Sequence, residues 1–206
     1  MPDPDLHAAY ALETPEDNRA LYAAWAQTYD ASFAKDMDYQ LPRLVALVLA
    51  EVAQGVGPVL DVGAGTGLLA ENMVMRGEVD ALDISPDMLA VAASKGIYAR
   101  TILGDLTGTL DLPDGHYGAV VSSGTFTHGH VGPGALDELL RVARPGAWFV
   151  LSVNAEHFEA RGFAAKFAAL EGRIDGLSHR QINIYGPDAD AAHAGDLAHI
   201  VVFKKS

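Results

Sequence analysis

The stretch VLDVGAGTGLLA, Val59 to Ala70, decides how the rest of the chain is read. It opens as a short apolar run of strand type and closes as an apolar helical segment. Between the two, Gly63, Gly65 and Gly67 alternate with Ala64 and Thr66. A strand that enters a glycine-rich bend and leaves it as a helix lets a ligand approach bare backbone. The helix opening at Leu68 exposes N–H groups at its start, which favour an electron-rich or anionic partner. The pattern points to a nucleoside-type cofactor.

On the N-terminal side, residues 1–14 read as a loose arm. Thr14 and Asp17 bracket Pro15 as a capping-box pair, so a helix is expected from Pro15 to Thr28. Tyr22, Trp25 and Tyr29 lie three and four residues apart on one face of it. That stripe is either core packing or the aromatic underside of a lid. Pro42 begins a second helix, whose LVALVLAEVA carries a helical apolar period and ends at Gly55 to Pro58. On the C-terminal side the period alternates. Strands are expected at Val79–Asp83, Ile97–Leu103, Tyr117–Ser123 and Ala147–Val153. Helices are expected at Leu68–Arg76, Ser85–Ser94, Gly134–Val142 and Glu156–Leu170, with Pro145-Gly146 as a turn. This is a βαβ series, hence a doubly wound Rossmann-like α/β fold with a mostly parallel sheet. Such sheets bind ligands beyond the C-terminal ends of their strands. Two tail strands, His179–Tyr185 and Leu197–Lys204, are expected to pair antiparallel. The whole reads as one domain, with residues 1–50 as arm and lid helices and 51–206 as the binding core.

Composition narrows the class. The chain has 206 residues, half of them apolar, enough for one hydrophobic core. Its formal net charge is -13. Phosphate backbones are bound through lysine and arginine, so a nucleic-acid partner is disfavoured, and a neutral or cationic small molecule fits better. There are no cysteines, which excludes disulfides, thiolate metal sites and a cysteine nucleophile. The start, MPDPDLHAAY, has neither a basic n-region nor an apolar core, and no apolar run is long enough to span a membrane. A cytoplasmic protein is expected.

The dinucleotide fingerprint needs a glycine at the position that Leu68 occupies here. Asp61, inside the strand end, is awkward beside a pyrophosphate and suits the ammonium of an amino-acid moiety. Both features favour S-adenosyl-L-methionine over NAD. Asp61 has a second reading, as a residue that only holds the turn through loop N–H groups. Asp83 ends its strand twenty residues beyond Gly63 and is placed to accept from ribose hydroxyls, or else to cap the turn. Asp105 can accept from an adenine amino group, or serve as a turn residue.

VLDVGAGTG, then ALDIS, then GDL resembles the class I S-adenosylmethionine-dependent methyltransferases, over roughly residues 18 to 205. The resemblance implies a seven-stranded sheet with helices on both faces and one antiparallel edge strand. It implies that Gly63, Ala64, Gly65, Gly67 and Leu68 line the methionine moiety. Asp83 would hold the ribose, Ile84 or Met88 would flank the adenine, and Gly104, Asp105 and Leu106 would meet its edge. Tyr22, Trp25 and Tyr29 would belong to a lid. SSGTFTHGHVGPGALDELLRVARPGAWFVLSVN, residues 122 to 154, and YAAWAQTYD, Tyr22 to Asp30, are similar to the small methyltransferases related to the Williams–Beuren syndrome region protein. Where other members carry an Asn/Asp-Pro-Pro-Tyr segment, this chain has Ser122, Ser123, Gly124 and Thr125. That departure speaks against methylation of a DNA base or a protein glutamine.

For the reacting centre, transfer from a sulfonium is a direct displacement that rests on alignment and exclusion of water. His128 and His130, in THGHVG, are the candidate catalytic bases if the acceptor arrives protonated. They could equally just shape the loop. No third ligand accompanies them, so no metal is expected. Tyr39 and Phe126 are placed to narrow the pocket, and His157 is a further candidate for its wall. The expected activity is methyl transfer to a small-molecule nucleophile, yielding S-adenosyl-L-homocysteine. The alternatives are a protein or RNA methyltransferase and a non-catalytic binding module; a nicotinamide enzyme is disfavoured by Leu68.

Overall fold

A computed structural model describes residues 9, 14–74, 78–127, 130–187, 189 and 193–206. Helix α1 (Pro15–Trp25) starts with the expected capping box: Thr14 Oγ1 accepts from the Asp17 N–H at 3.1 Å, and Asp17 Oδ2 accepts from the Thr14 N–H at 3.2 Å. It stops three residues before Thr28 and gives way to a π-helical turn, Asp30–Ala34. Helix α2 (Leu41–Val52) buries Val45, Ala46, Val48 and Leu49. The sheet then builds as β1 (Val59–Val62), β2 (Val79–Asp83), β3 (Arg100–Leu103), β4 (Tyr117–Phe126), β5 (Ala143–Asn154), β6 (Ile174–Asn183) and β7 (Leu197–Lys205). Between the strands lie α3 (Leu68–Glu71), α4 (Pro86–Ser94), α5 (Ala135–Val142), α6 (Ala155–Ala160) and α7 (Phe163–Ala169).

The seven strands run in the order β3-β2-β1-β4-β5-β7-β6. The first five are parallel; β7 is antiparallel to both β5 and β6. The mostly parallel sheet and its antiparallel end are as expected, and the reversed strand, β7, lies one place in from the edge. Side chains alternate between the two faces with period two. Leu60, Val120, Phe149 and Leu151 pack on α5, α6 and α7, whereas Val59, Ala119, Val121 and Val150 pack on α2. Helices on both faces leave the C-terminal ends of β1, β2 and β4 as the open rim. Within β2, Asp80 is buried, and its charge is met by Arg100 of β3 and by the Tyr117 hydroxyl of β4 at 2.9 Å.

Several boundaries differ from expectation, each for a local reason. Helix α3 ends at Glu71, because the Asn72 side-chain amide donates to the Leu68 carbonyl and competes with the helical ladder. Strand β3 starts at Arg100, since Tyr98 leaves the sheet edge to reach Asp61. Pro145-Gly146 is not a turn between elements. It lies inside β5, where the pairing with β4 slips between Tyr117 and Ala119 and absorbs the extra residues as a bulge. The expected helix Glu156–Leu170 is two helices, broken at Gly162, whose φ of 76° is left-handed. The tail strand expected at His179–Tyr185 starts earlier, at Ile174, and ends at Asn183, where Ile184 and Tyr185 turn toward the N-terminal segment. Among the described residues no helix is long and apolar enough to cross a membrane.

The N-terminal segment is docked rather than trailing. Ala9, Trp25, Phe33 and Leu41 share a core cluster with Met88, Ile184 and Tyr185. Gln40 N–H donates to the Ile184 carbonyl at 2.9 Å, and Gly186 N–H to the Asp38 carbonyl at 2.8 Å. Asp30 accepts from the Thr66 hydroxyl and from Lys95 Nζ at 2.6 Å, and Lys95 also pairs with Glu71 at 2.9 Å.

Candidate functional site

A cavity of about 330 Å³ opens above the C-terminal ends of β1, β2 and β4. Its floor is the turn that leaves β1. Gly63 has φ of +66°, and a Cβ there would lie 1.9 Å from Thr125 Oγ1. That hydroxyl donates to the Val62 carbonyl at 3.0 Å, so the end of β4 closes on the turn and admits no side chain. Gly65 N–H donates to Asp83 Oδ2 at 2.8 Å, and Ser85 N–H donates to Asp83 Oδ1 at 2.8 Å. One backbone donor per oxygen fixes the carboxylate and leaves lone pairs for a ligand. Burial raises the Asp83 pKa, and the bonds from Ser85, Gly65 and Ile84 pull against that rise.

Most of the sequence candidates converge on this cavity. Ala64, Gly65 and Leu68 line it beside Gly63, and Ile84, Met88, Gly104, Asp105 and Leu106 line the wall above β2 and β3. Asp105 also fulfils its alternative reading, since Oδ1 accepts from Thr107 N–H at 2.8 Å and from the Thr107 hydroxyl at 2.7 Å. Ser123 and Gly124 line the β4 side. Gly124 is held by its N–H, which donates to Ser152 Oγ at 2.9 Å. Ser123 Oγ is buried and has no partner among the described residues.

Three of the cofactor candidates do not line it. Gly67 faces the other way: a Cβ there would meet the Tyr98 ring at 3.1 Å, so its glycine serves packing against the β3 approach. Ser122 is fully buried and donates to the Val62 carbonyl at 2.7 Å, which ties β4 to β1. Asp61 lies behind the turn, fully buried, and its Oδ2 accepts from the Tyr98 hydroxyl at 2.6 Å. Burial pushes its pKa up to about 7, with the Tyr98 bond opposing the rise and the Asp83 charge adding to it. Its Oδ1 is buried without a partner among the described residues.

The roof comes from the N-terminal segment. Tyr22, Trp25 and Tyr29 all line the cavity. Their stripe is both core and roof, because Trp25 is 3% exposed while sharing the cavity wall. His130 lies across from Tyr22, with its Nε2 3.1 Å from the Tyr22 hydroxyl. His128 lies outside the described residues. His157 is buried and is no wall residue; its Nε2–H donates to the Val131 carbonyl at 3.0 Å and so braces the loop after β4. Tyr39 and Phe126 line the cavity as expected. Phe33, Tyr185, Ser152 and Asn154 line it too and were not anticipated. Phe33 continues the Tyr29 stripe by one helical turn, a signal that was available. Tyr185 had none, because the fold of the tail brings it there.

The donor set can be tested against the candidate cofactors. The charged lining residues are Asp83 and Asp105, and no lysine or arginine lines the cavity among the described residues. Of the undescribed residues, Arg76 is the sole lysine or arginine, and it follows α3. A pyrophosphate would find no cation here. A nucleoside with hydroxyls for Asp83, and with a phosphate-free amino-acid end on the glycine turn, fits the residues present. Among the described residues no group of three His, Asp or Glu gathers as a metal site.

Residues 60–151 match the family model described as a methyltransferase domain. The chain is 34% identical over 131 residues to malonyl-[acyl-carrier protein] O-methyltransferase of Serratia marcescens, covering 63% of this chain and 49% of that protein. It is 34% identical over 140 residues to demethylmenaquinone methyltransferase of Renibacterium salmoninarum, covering 67% and 59%. The chain thus spans about half the length of these curated relatives. A TehB-like S-adenosylmethionine-dependent methyltransferase from Corynebacterium glutamicum superposes with a TM-score of 0.61 at 20% identity, over 91% of this chain and 99% of that one.

Proposed function

We propose, from the class I S-adenosylmethionine-dependent methyltransferase fold that this chain has, that it binds S-adenosyl-L-methionine and methylates a small-molecule nucleophile. One observation carries the reading: the Asp83 carboxylate, clamped by the Gly65 and Ser85 N–H groups, faces a cavity whose described lining has no cation. That is a ribose acceptor in a site that repels phosphate. When bound, S-adenosylmethionine supplies a methyl group on a sulfonium and leaves as neutral S-adenosylhomocysteine, while the acceptor gains the methyl and gives up its proton.

The chain's own residues do the rest. Gly63 to Gly65 present backbone to the amino-acid end, Ile84 and Met88 flank the base, and Asp105 and Leu106 meet its edge. His130, whose Nε2 lies 3.1 Å from the Tyr22 hydroxyl, is the group on this chain that takes the acceptor proton once that contact gives way to the acceptor. The aromatic roof keeps water from the reacting centre. Residues 122–154 support a finer kinship with the small methyltransferases related to the Williams–Beuren region protein, which leaves the acceptor open. The acidic, cysteine-free composition supports a cytoplasmic location, and the bare acidic lining weighs against RNA as substrate.

The test is calorimetric titration with S-adenosylhomocysteine and with NAD, followed by a metabolite-pool screen using a labelled methyl donor and mass detection. S-adenosylhomocysteine should bind and NAD should not, and one labelled small molecule should accumulate. Firm NAD binding without a response to S-adenosylhomocysteine would overturn the reading.

A further inference from the structure

We infer that the chamber beneath the N-terminal roof takes an uncharged, flat acceptor of the phenol class; the inference rests on the methyl-transfer reading above. The chamber is walled by a continuous series of rings. Trp25 stands 5.1 Å from Tyr29, Tyr29 5.0 Å from Phe33, Phe33 5.4 Å from Tyr39 and Tyr39 5.9 Å from Tyr185, centroid to centroid. At the other end, Tyr22 stands 5.6 Å from the His130 ring. Packed against one another, these rings give the cavity they line an apolar aromatic wall, which suits a planar apolar ligand.

Charge selects further. A buried carboxylate acceptor needs a cation, and the described lining contains no lysine or arginine. An ammonium acceptor needs a carboxylate. Among the described residues the two that line the cavity, Asp83 at the end of β2 and Asp105 after β3, lie on one side of β1, and both are engaged by backbone N–H groups. Ser123, His130 and Asn154 belong to β4, its loop and β5, on the opposite side of β1. There the polar groups are uncharged or weakly basic. Ser123 Oγ is buried without a described partner, and it offers one neutral donor–acceptor to a hydroxyl. The His130 imidazole and the Tyr22 hydroxyl, 3.1 Å apart, form a neutral hydrogen-bonding pair that suits a hydroxyl on the acceptor. A single ionisable hydroxyl on a flat apolar body satisfies every one of these groups.

The test uses three probes of one shape: 2-naphthol, 2-naphthoate and 2-naphthylmethylammonium. Each is titrated calorimetrically into the whole protein at neutral pH, with and without saturating S-adenosylhomocysteine. 2-Naphthol should bind about tenfold tighter than either ion in both conditions. Thr127→Lys places a cation in the lining, and it should raise naphthoate affinity about tenfold while 2-naphthol changes little. Equal or tighter binding of either ion to the unmodified protein would overturn the inference, as would 2-naphthol failing to bind at millimolar concentration. If S-adenosylhomocysteine fails to bind while the order of the three probes holds, the methyl-transfer reading falls and the chamber's preference stands.

Discussion

Two carboxylates toward the C-terminal ends of the neighbouring strands β1 and β2 carry different duties. Asp83 faces the cavity with each oxygen fixed by a backbone donor, whereas Asp61 is sealed behind the turn with one oxygen unpartnered among the described residues. Asp83→Ala should weaken S-adenosylhomocysteine binding by about 1–3 kcal/mol, the cost of leaving buried donors unmatched. Calorimetry showing unchanged affinity would remove Asp83 from the ribose role. Asp61 makes a pH prediction. Its folded pKa, about 7, stands above the unfolded value of about 3.9. Between those values the folded state holds more protons, so stability falls as pH rises from about 4 to about 7 and then levels. Asp61→Asn removes that slope. Urea midpoints at pH 5 and pH 8 should therefore drop less in Asp61→Asn than in the parent; parallel drops would mean that Asp61 does not titrate in this window.

At the level of elements, the roof is held by its apolar cluster with Met88, Ile184 and Tyr185 and, beside it, by a few polar anchors. The π-helical turn places Asp30 where Thr66 of the glycine turn and Lys95 at the end of α4 both reach it. The roof is thereby wired to the floor and to α4 at once. Lys95 is 17% exposed and also meets Glu71, so it bridges the N-terminal segment, α3 and α4. Lys95→Met keeps much of the bulk and removes the charge. It should raise amide exchange across residues 14–39 by several-fold and leave the β4 and β5 amides as they were, because the roof opens below the global unfolding limit. Hydrogen-exchange mass spectrometry reads this directly; uniform acceleration would show that Lys95 supports the whole fold instead. His157 acts in the same way on the loop after β4, holding the Val131 carbonyl close to the cavity.

Over the whole molecule, the formal charge of -13 and the cation-free described lining act together. The field repels polyanions at long range, and the described lining offers them no lysine or arginine at short range. Electrophoretic shift assays should show no retardation of duplex DNA or of structured RNA at low salt, where electrostatic binding is strongest. Micromolar retention would place a nucleic acid among the substrates.

The order of strands and helices, the glycine turn and the strand-end acids were legible in the chain because each is a local pattern. Period two or 3.6, a cap, or a glycine where a Cβ cannot fit is fixed within a few residues. Val59 to Ala70 needed no partner to declare a strand, a bend and a helix. Helix breaks at Asn72 and Gly162 and the bulge at Pro145-Gly146 were blurred, because weak local preferences compete there with the sheet. Which acid faces the ligand was not local at all. Asp61 and Asp83 both end strands, and the hydroxyl of Tyr98, thirty-seven residues from Asp61, claims one of them. The closing of Phe33, Tyr39 and Tyr185 into one wall joins the N-terminal segment to the tail, and the pairing of Tyr22 with His130 spans 108 residues. Such contacts depend on how the sheet brings distant ends together, and sequence spacing carries no record of that.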